Sequence, residues 1–231
     1  MRLLAFETAT EACSVAVYVE GEVRERFEIA PRRHADLALP WAEALLGEAG
    51  VAKSQLDAIA VGRGPGAFTG VRLAVALAQG IALALDRPVL PVSTLAALAM
   101  GATGARVMAA IDARMGEVYL GSFERRGDAL QPLAEEVVVN PALAVLPQGT
   151  GWRGVGTGFD AAGGALRDRL GGVLAGVDAA ALPRAADVAR LAAAAFARGE
   201  GIAPERLEPA YLRDNVALTT REQQALRDAR R

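Results

Sequence analysis

Two short apolar runs in this chain each stop at an acid, and the same order of elements follows both. Residues 3–6 lead into Glu7, and residues 106–111 lead into Asp112. After Glu7 the pattern predicts a polar Thr-Ala-Thr turn, then strands over 13–19 and 23–29 joined through Glu20-Gly21. A helix over 34–46, a strand over 58–61 and a long helix ending near Leu85 come next. A strand over 89–92 and a helix from Ser93 complete the half. After Asp112 the order restarts with a loop over 113–116, a strand over 118–123, a turn over 126–128 and a strand over 135–139. Helix, strand and helix signals follow over 141–146, 154–156 and 161–170. A strand over 173–177 and an alanine-rich helix over 185–198 end the pattern.

Three antiparallel strands followed by right-handed crossovers give a mixed sheet with helices on its faces. Two such halves packed together make an α/β duplicated actin-like (ASKHA, ribonuclease-H-like) fold, with mixed sheets flanked by helices. The expected divisions are an N-terminal subdomain over 1–101, a C-terminal one over 102–202, and a tail over 203–231 that returns to the body. In that tail Tyr211 and Leu212 are expected to dock, and residues 219–231 read as a polar extension.

Composition narrows the chemistry. The net charge of −2 removes global electrostatics as a means of holding nucleic acid, and the pairs Arg32-Arg33 and Arg125-Arg126 read as solvated charge. The single cysteine, Cys13, excludes a disulfide framework, and the single histidine, His34, excludes two-histidine metal motifs. Cys13 reads as a buried thiol, and His34 as a hydrogen-bonding residue at a helix start. No metal site is expected. The uncharged windows between Arg87 and Arg106 and between Glu136 and Arg153 carry prolines and glycines, so neither reads as a membrane span. A cytoplasmic protein with no membrane partner is the expectation.

The most informative stretch is Gly62-Arg63-Gly64-Pro65-Gly66-Ala67-Phe68-Thr69-Gly70-Val71-Arg72. It sits between a buried strand and a helix, where backbone amides can cradle an anion. The plainer reading is a tight turn with Thr69 capping the helix. In a duplicated fold Glu7, Thr8 and Thr10 would face Asp112 across the cleft between the halves. There they could hold nucleotide phosphates; alternatively, both acids merely cap loops.

Two helices carry more apolar surface than one sheet face needs. The first has the rows Leu37/Trp41/Leu45 and Leu39/Leu46. In the second, Leu73, Leu77 and Ile81 form one stripe and Ala74, Ala78 and Ala82 another, with only Gln79 polar between Arg72 and Asp86. A sheet-covering helix ordinarily keeps a polar outer face. The second faces are therefore expected to be covered either by other parts of this chain or, the favoured reading, by a partner, with small residues allowing close helix approach.

Several segments resemble the family of tRNA threonylcarbamoyladenosine biosynthesis proteins TsaB (YeaZ). They are the stretch around Glu7-Thr8-Ala9-Thr10, Arg33-His34-Ala35-Asp36, and above all the loop motif Gly64, Pro65, Gly66, Phe68, Thr69, Gly70 and Arg72. The segments 91–99 and 209–213 agree as well, and the resemblance extends over 1–217. A common variant of the family has Asp at the place of Glu7 and Ser at that of Ala67. The resemblance implies likeness in fold to the TsaD enzymes, once labelled glycoproteases. Those relatives carry a metal-binding histidine pair after the strand that ends here at Val92, where this chain has Ser93-Thr94-Leu95.

What the resemblance implies is a non-catalytic partner of a TsaD-type enzyme, joined by a TsaE-type ATPase. Together they would modify tRNAs reading codons that start with A, with tRNA reached indirectly through the complex. Leu37, Trp41, Leu45, Leu73, Ala74, Leu77, Ala78, Ile81 and Ala82 would form the pairing surface, which in isolation could pair two copies of the chain. ATP or ADP is the candidate ligand, in the interdomain cleft or at the partner interface, and the sequence makes neither certain. The rival readings are an actin-like ATPase or kinase and, from the older label alone, a peptidase.

Overall fold

The computed structural model describes residues 1–127 and 129–213, so Asp128 and the polar extension over 219–231 lie outside the described residues. Two mixed sheets form the frame. The first contains β1 (Arg2–Glu7), β2 (Ala12–Val19), β3 (Glu22–Ile29), β4 (Ala58–Gly62) and β5 (Val89–Val92), in the order β3-β2-β1-β4-β5. The strands β1 to β3 pair antiparallel, while β4 lies parallel to both β1 and β5. The second sheet contains β6 (Arg106–Arg114), β7 (Glu117–Arg126), β8 (Ala129–Pro132), β9 (Val137–Val139), β10 (Trp152–Val155) and β11 (Leu174–Asp178). Its order is β11-β10-β6-β7-β8, with β9 also pairing β7. Strands β1, which ends at Glu7, and β6, which carries Asp112, are therefore the central strands of equivalent sheets, and the chain has the duplicated actin-like architecture.

Alternation along the central strands assigns each face to a helix layer. Leu4 and Phe6 of β1 pack under α1 (His34–Ala49) and α2 (Phe68–Leu85), while Leu3 and Ala5 face α5 (Ala185–Ala197). On β6, Met108 and Ala110 face α4 (Ala165–Leu170), and Val107, Ala109 and Ile111 face α3 (Thr94–Met100). The middle helices are exchanged. Helix α5, which follows the second sheet, covers the first, and α3, which follows the first sheet, covers the second. Alanines permit this: Ala185, Ala189 and Ala192 lie fully buried against Ala5, Ala16, Ala58 and Ala60. The Arg184–Glu25 ion pair at 2.6 Å and the bond from the Ala185 amide to Ser14 Oγ at 2.8 Å fix the entry of α5 onto the first sheet.

Several expectations about the second half need correction. Only a single 3-10 turn, Pro141–Leu143, forms where a helix was expected over 141–146, because two prolines bracket a stretch too short to nucleate one. The helix over 161–170 is broken: Ala162 and Gly163 turn left-handed, and α4 starts only at Ala165. Strand β8 was not expected at all. Asp112 does not close its strand, since β6 runs on through a bulge to Arg114. Arg125 is not solvated charge. Its Nη2 donates to the carbonyls of Ala99, Met100 and Ala102 at 2.8–3.2 Å, satisfying the C-terminal end of α3.

The expected pairing surface is also corrected. Leu45, Ala74, Ala78 and Ala82 are 0–1% exposed in the subunit's own core. Leu37, Trp41, Leu77 and Ile81 are half-buried against the same core, and Leu73 is half-buried too. The alanine row faces inward because it brings α2 close onto β4. Helix α2 is long and apolar enough, with a mean hydropathy of 1.7 over 18 residues, to cross a membrane by composition. Here it lies on the sheet through Val71, Ala74, Val75, Ala78 and Ala82.

Ala78→Arg places a charge where no water or partner reaches, so it should destabilise the subunit itself by about 4 kcal/mol. Urea denaturation checks this; an unchanged midpoint would show that α2 is not seated on the sheet.

Candidate functional site

Strands β1 and β6 both point their C-terminal ends at a cleft of about 590 Å³ between the two halves. Duplication thus brings Thr10 and Asp112 to the same cavity, as expected. Around them stand Arg32, His34 and Glu11 from the first half, and Arg114, Tyr119 and Thr157 from the second. The start of α2 contributes Gly66, Ala67, Phe68 and Arg72, and the returning tail contributes Tyr211 and Arg213.

Glu7 and Thr8 do not line this cleft. Both are buried beneath it, at 1% and 0% exposure. The Ala9 amide donates to Glu7 Oε1 at 2.7 Å, and Thr94 Oγ1 donates to Glu7 Oε2 at 2.9 Å. Thr94 Oγ1 in turn accepts from the Gly64 amide at 3.2 Å, and the Thr94 amide donates to the Gly64 carbonyl at 2.8 Å. The Thr8 hydroxyl donates to the Gly70 carbonyl at 2.7 Å. These side chains bind the β1–β2 turn to the glycine-rich loop and to the start of α3. Burial pushes the Glu7 carboxyl up to about 7, even though the three hydrogen bonds it accepts pull the other way.

The glycine-rich loop is occupied by its own chain. The Ala67 amide donates to the Ala9 carbonyl at 2.7 Å. A Cβ on Gly66 would run into that carbonyl, and one on Gly70 into the carbonyl of Thr8. The glycines of the motif therefore let α2 begin directly against the β1–β2 turn. Thr69 does not cap the helix: it lies inside α2, whose N-cap is Ala67, with no side-chain cap. Phe68 is 64% exposed, and the Arg72 guanidinium lies over its ring at 3.2 Å from the centroid.

The remaining candidates are engaged locally. Asp112 accepts from the Arg114 amide at 2.8 Å and from its guanidinium at 2.9 Å. His34 begins α1 and places Nε2 3.0 Å from the Thr10 carbonyl, matching the helix-start expectation. Cys13 is buried, and burial pushes its thiol up to about 11. Among the described residues no three His, Cys, Asp or Glu side chains gather to hold a metal. Sequence reasoning missed Thr94 and Arg213. Thr94 could have been suspected from Ser93-Thr94 at a helix start, but nothing in the sequence pairs Arg213 with residues a hundred positions earlier.

Two measurements test this arrangement. Gly70→Ala must displace backbone from backbone and should cost about 2 kcal/mol, read as a lowered urea midpoint. Glu7 binds its proton more tightly folded than unfolded, so its stabilising contribution is complete below about pH 4.5 and is lost as pH rises to about 7. Stability should fall across that window by up to about 3 kcal/mol. Glu7→Gln should flatten the slope, and an unaltered slope would remove Glu7 as its source.

The family described as TsaD, tRNA N6-adenosine threonylcarbamoyltransferase, matches residues 27–220. The tRNA threonylcarbamoyladenosine biosynthesis protein TsaB of Escherichia coli is 44% identical, over 94% of this chain and 96% of its own. The protein of the same name from Haemophilus influenzae is 38% identical, over 94% and 95%. YeaZ from Pseudomonas aeruginosa superposes with a TM-score of 0.86 at 47% identity, covering 91% of this chain and 99% of that one. A crystal structure of a Pseudomonas aeruginosa protein described as similar to peptidase YEAZ gives the same TM-score at 46% identity, over 92% and 99%. With a superposable fold and near full-length similarity, this chain belongs to the TsaB (YeaZ) family.

Proposed function

We propose that this chain is a non-catalytic cytoplasmic subunit in the formation of threonylcarbamoyladenosine in tRNA. It pairs through the outer face of α2 with a TsaD-type enzyme, a TsaE-type ATPase joins the pair, and tRNA is reached through the assembly. The names of the relatives support the pathway. The observation that carries the pairing is the solvent side of α2. Ala76, Gly80, Leu83 and Ala84 are exposed there, Leu73 and Leu77 flank them half-buried, and no charge occurs between Arg72 and Asp86. A groove of about 370 Å³ lined by Leu39, Pro40, Leu46, Leu56 and Ile81, and by the ion-paired Glu43 and Lys53, extends this face toward α1. The small residues set the backbone of α2 near the surface, where a second helix can approach closely. The same face would serve a second copy of the chain when the enzyme is absent.

The cleft does not favour the rivals. A phosphate clamp would need Glu7 and Thr8 in the cleft, and both are consumed beneath it. A peptidase would need an activated nucleophile, whereas the Cys13 thiol is held neutral and the His34 Nε2 meets a carbonyl.

Reconstitution of tRNA modification with the TsaD-type and TsaE-type proteins, with and without this chain, tests the reading. Product should require the chain, and the chain alone should form none. Gly80→Arg has open space around the new side chain and should keep the fold. It should weaken pairing by about 3 kcal/mol, roughly a hundredfold. Product formation by the chain alone, or unchanged co-purification of the variant, would overturn the proposal.

A further inference from the structure

The tail does more than return to the body: it spans the mouth of the cleft. On the first half Leu207 is 3% exposed in the core under α1 and α2, and Gln79 Nε2 of α2 donates to the Pro204 and Leu207 carbonyls, both at 3.1 Å. The Ala210 amide donates to the Arg63 carbonyl at 2.8 Å, and Arg72 Nη2 to the Tyr211 hydroxyl at 2.8 Å. On the second half Arg213 Nη2 donates to the Ala113 carbonyl at 3.1 Å and to Glu117 Oε2 at 2.6 Å, at the β6–β7 hairpin.

These two sets of anchors differ in kind. The first combines a buried side chain with bonds to backbone. The second is one arginine whose ion pair is partly wet, with side chains 20% and 35% exposed, and such pairs hold weakly. Because α3 packs on the second sheet and α5 on the first, the chain otherwise passes between the two packed bodies at Ser93 and over 179–184. A segment fixed firmly to one body and loosely to the other, across the opening between them, is built as a latch. We propose that residues 207–213 are a latch holding the cleft closed, and that it opens by releasing Arg213 from the β6–β7 hairpin while the first-half anchors stay made.

Spin labels at Glu11→Cys and Arg114→Cys, on opposite rims of the cleft, report its width in the full chain, with the buried Cys13 left unlabelled. In Arg213→Ala the label separation should shift to longer and broader values, and Glu117→Gln should shift it the same way. Tyr211→Phe removes only one of several first-half anchors and should leave it unchanged. Amide exchange at Ala210 should stay as slow in Arg213→Ala as in the parent. An unchanged separation in Arg213→Ala would show that the tail merely packs against the hairpin, and fast exchange at Ala210 would show that it detaches as a whole. Either result overturns the latch.

Discussion

The contact between the β1–β2 turn and the start of α2 organises this molecule. A buried carboxylate at Glu7 joins that turn to Thr94, and Thr94 in turn holds Gly64 of the glycine-rich loop through both its hydroxyl and its amide. Thr94 begins α3, the helix that leaves the first sheet for the second. One cluster of hydrogen bonds therefore sets where α2 starts and where the chain crosses between halves. A buried carboxyl is tolerated there because it accepts bonds from both sides, and its affinity for protons is raised because no water reaches it.

This use of the acid seats the glycine-rich loop against the β1–β2 turn, with Glu7 beneath the cleft rather than in it. The Ala67 amide and the Gly70 carbonyl of the loop bond the neighbouring turn, and Gly66 and Gly70 allow the close backbone approach. The cleft above holds hydroxyl, carboxylate and guanidinium groups, among which Asp112 pairs with Arg114 and Arg213 with Glu117. The solvent side of α2 is an exposed apolar face that lacks charge for more than three turns.

How much of this could be read beforehand differs by feature. The duplicated fold was legible because two acid-ended apolar runs restart the same order, and the meeting of Thr10 and Asp112 followed from it. The inward side of α2 was not legible. In a helix apolar all round, periodicity shows which residues share a row but not which row meets the sheet, and Ala74, Ala78 and Ala82 turned out to be the seat. The breaks at Gly163 and between Pro141 and Pro147 were written in the sequence and were outweighed by apolar runs on either side.

The amino-acid sequence alone determined the two mixed sheets and the excess of apolar surface, because alternation and helical spacing are local properties. Only the tertiary structure decided that α3 and α5 exchange sheets, that Glu7 lies beneath the cleft, and that Arg213 reaches the β6–β7 hairpin. Each of these depends on which surfaces come within a few ångströms of one another across distant chain segments. Local pattern carries no information about that.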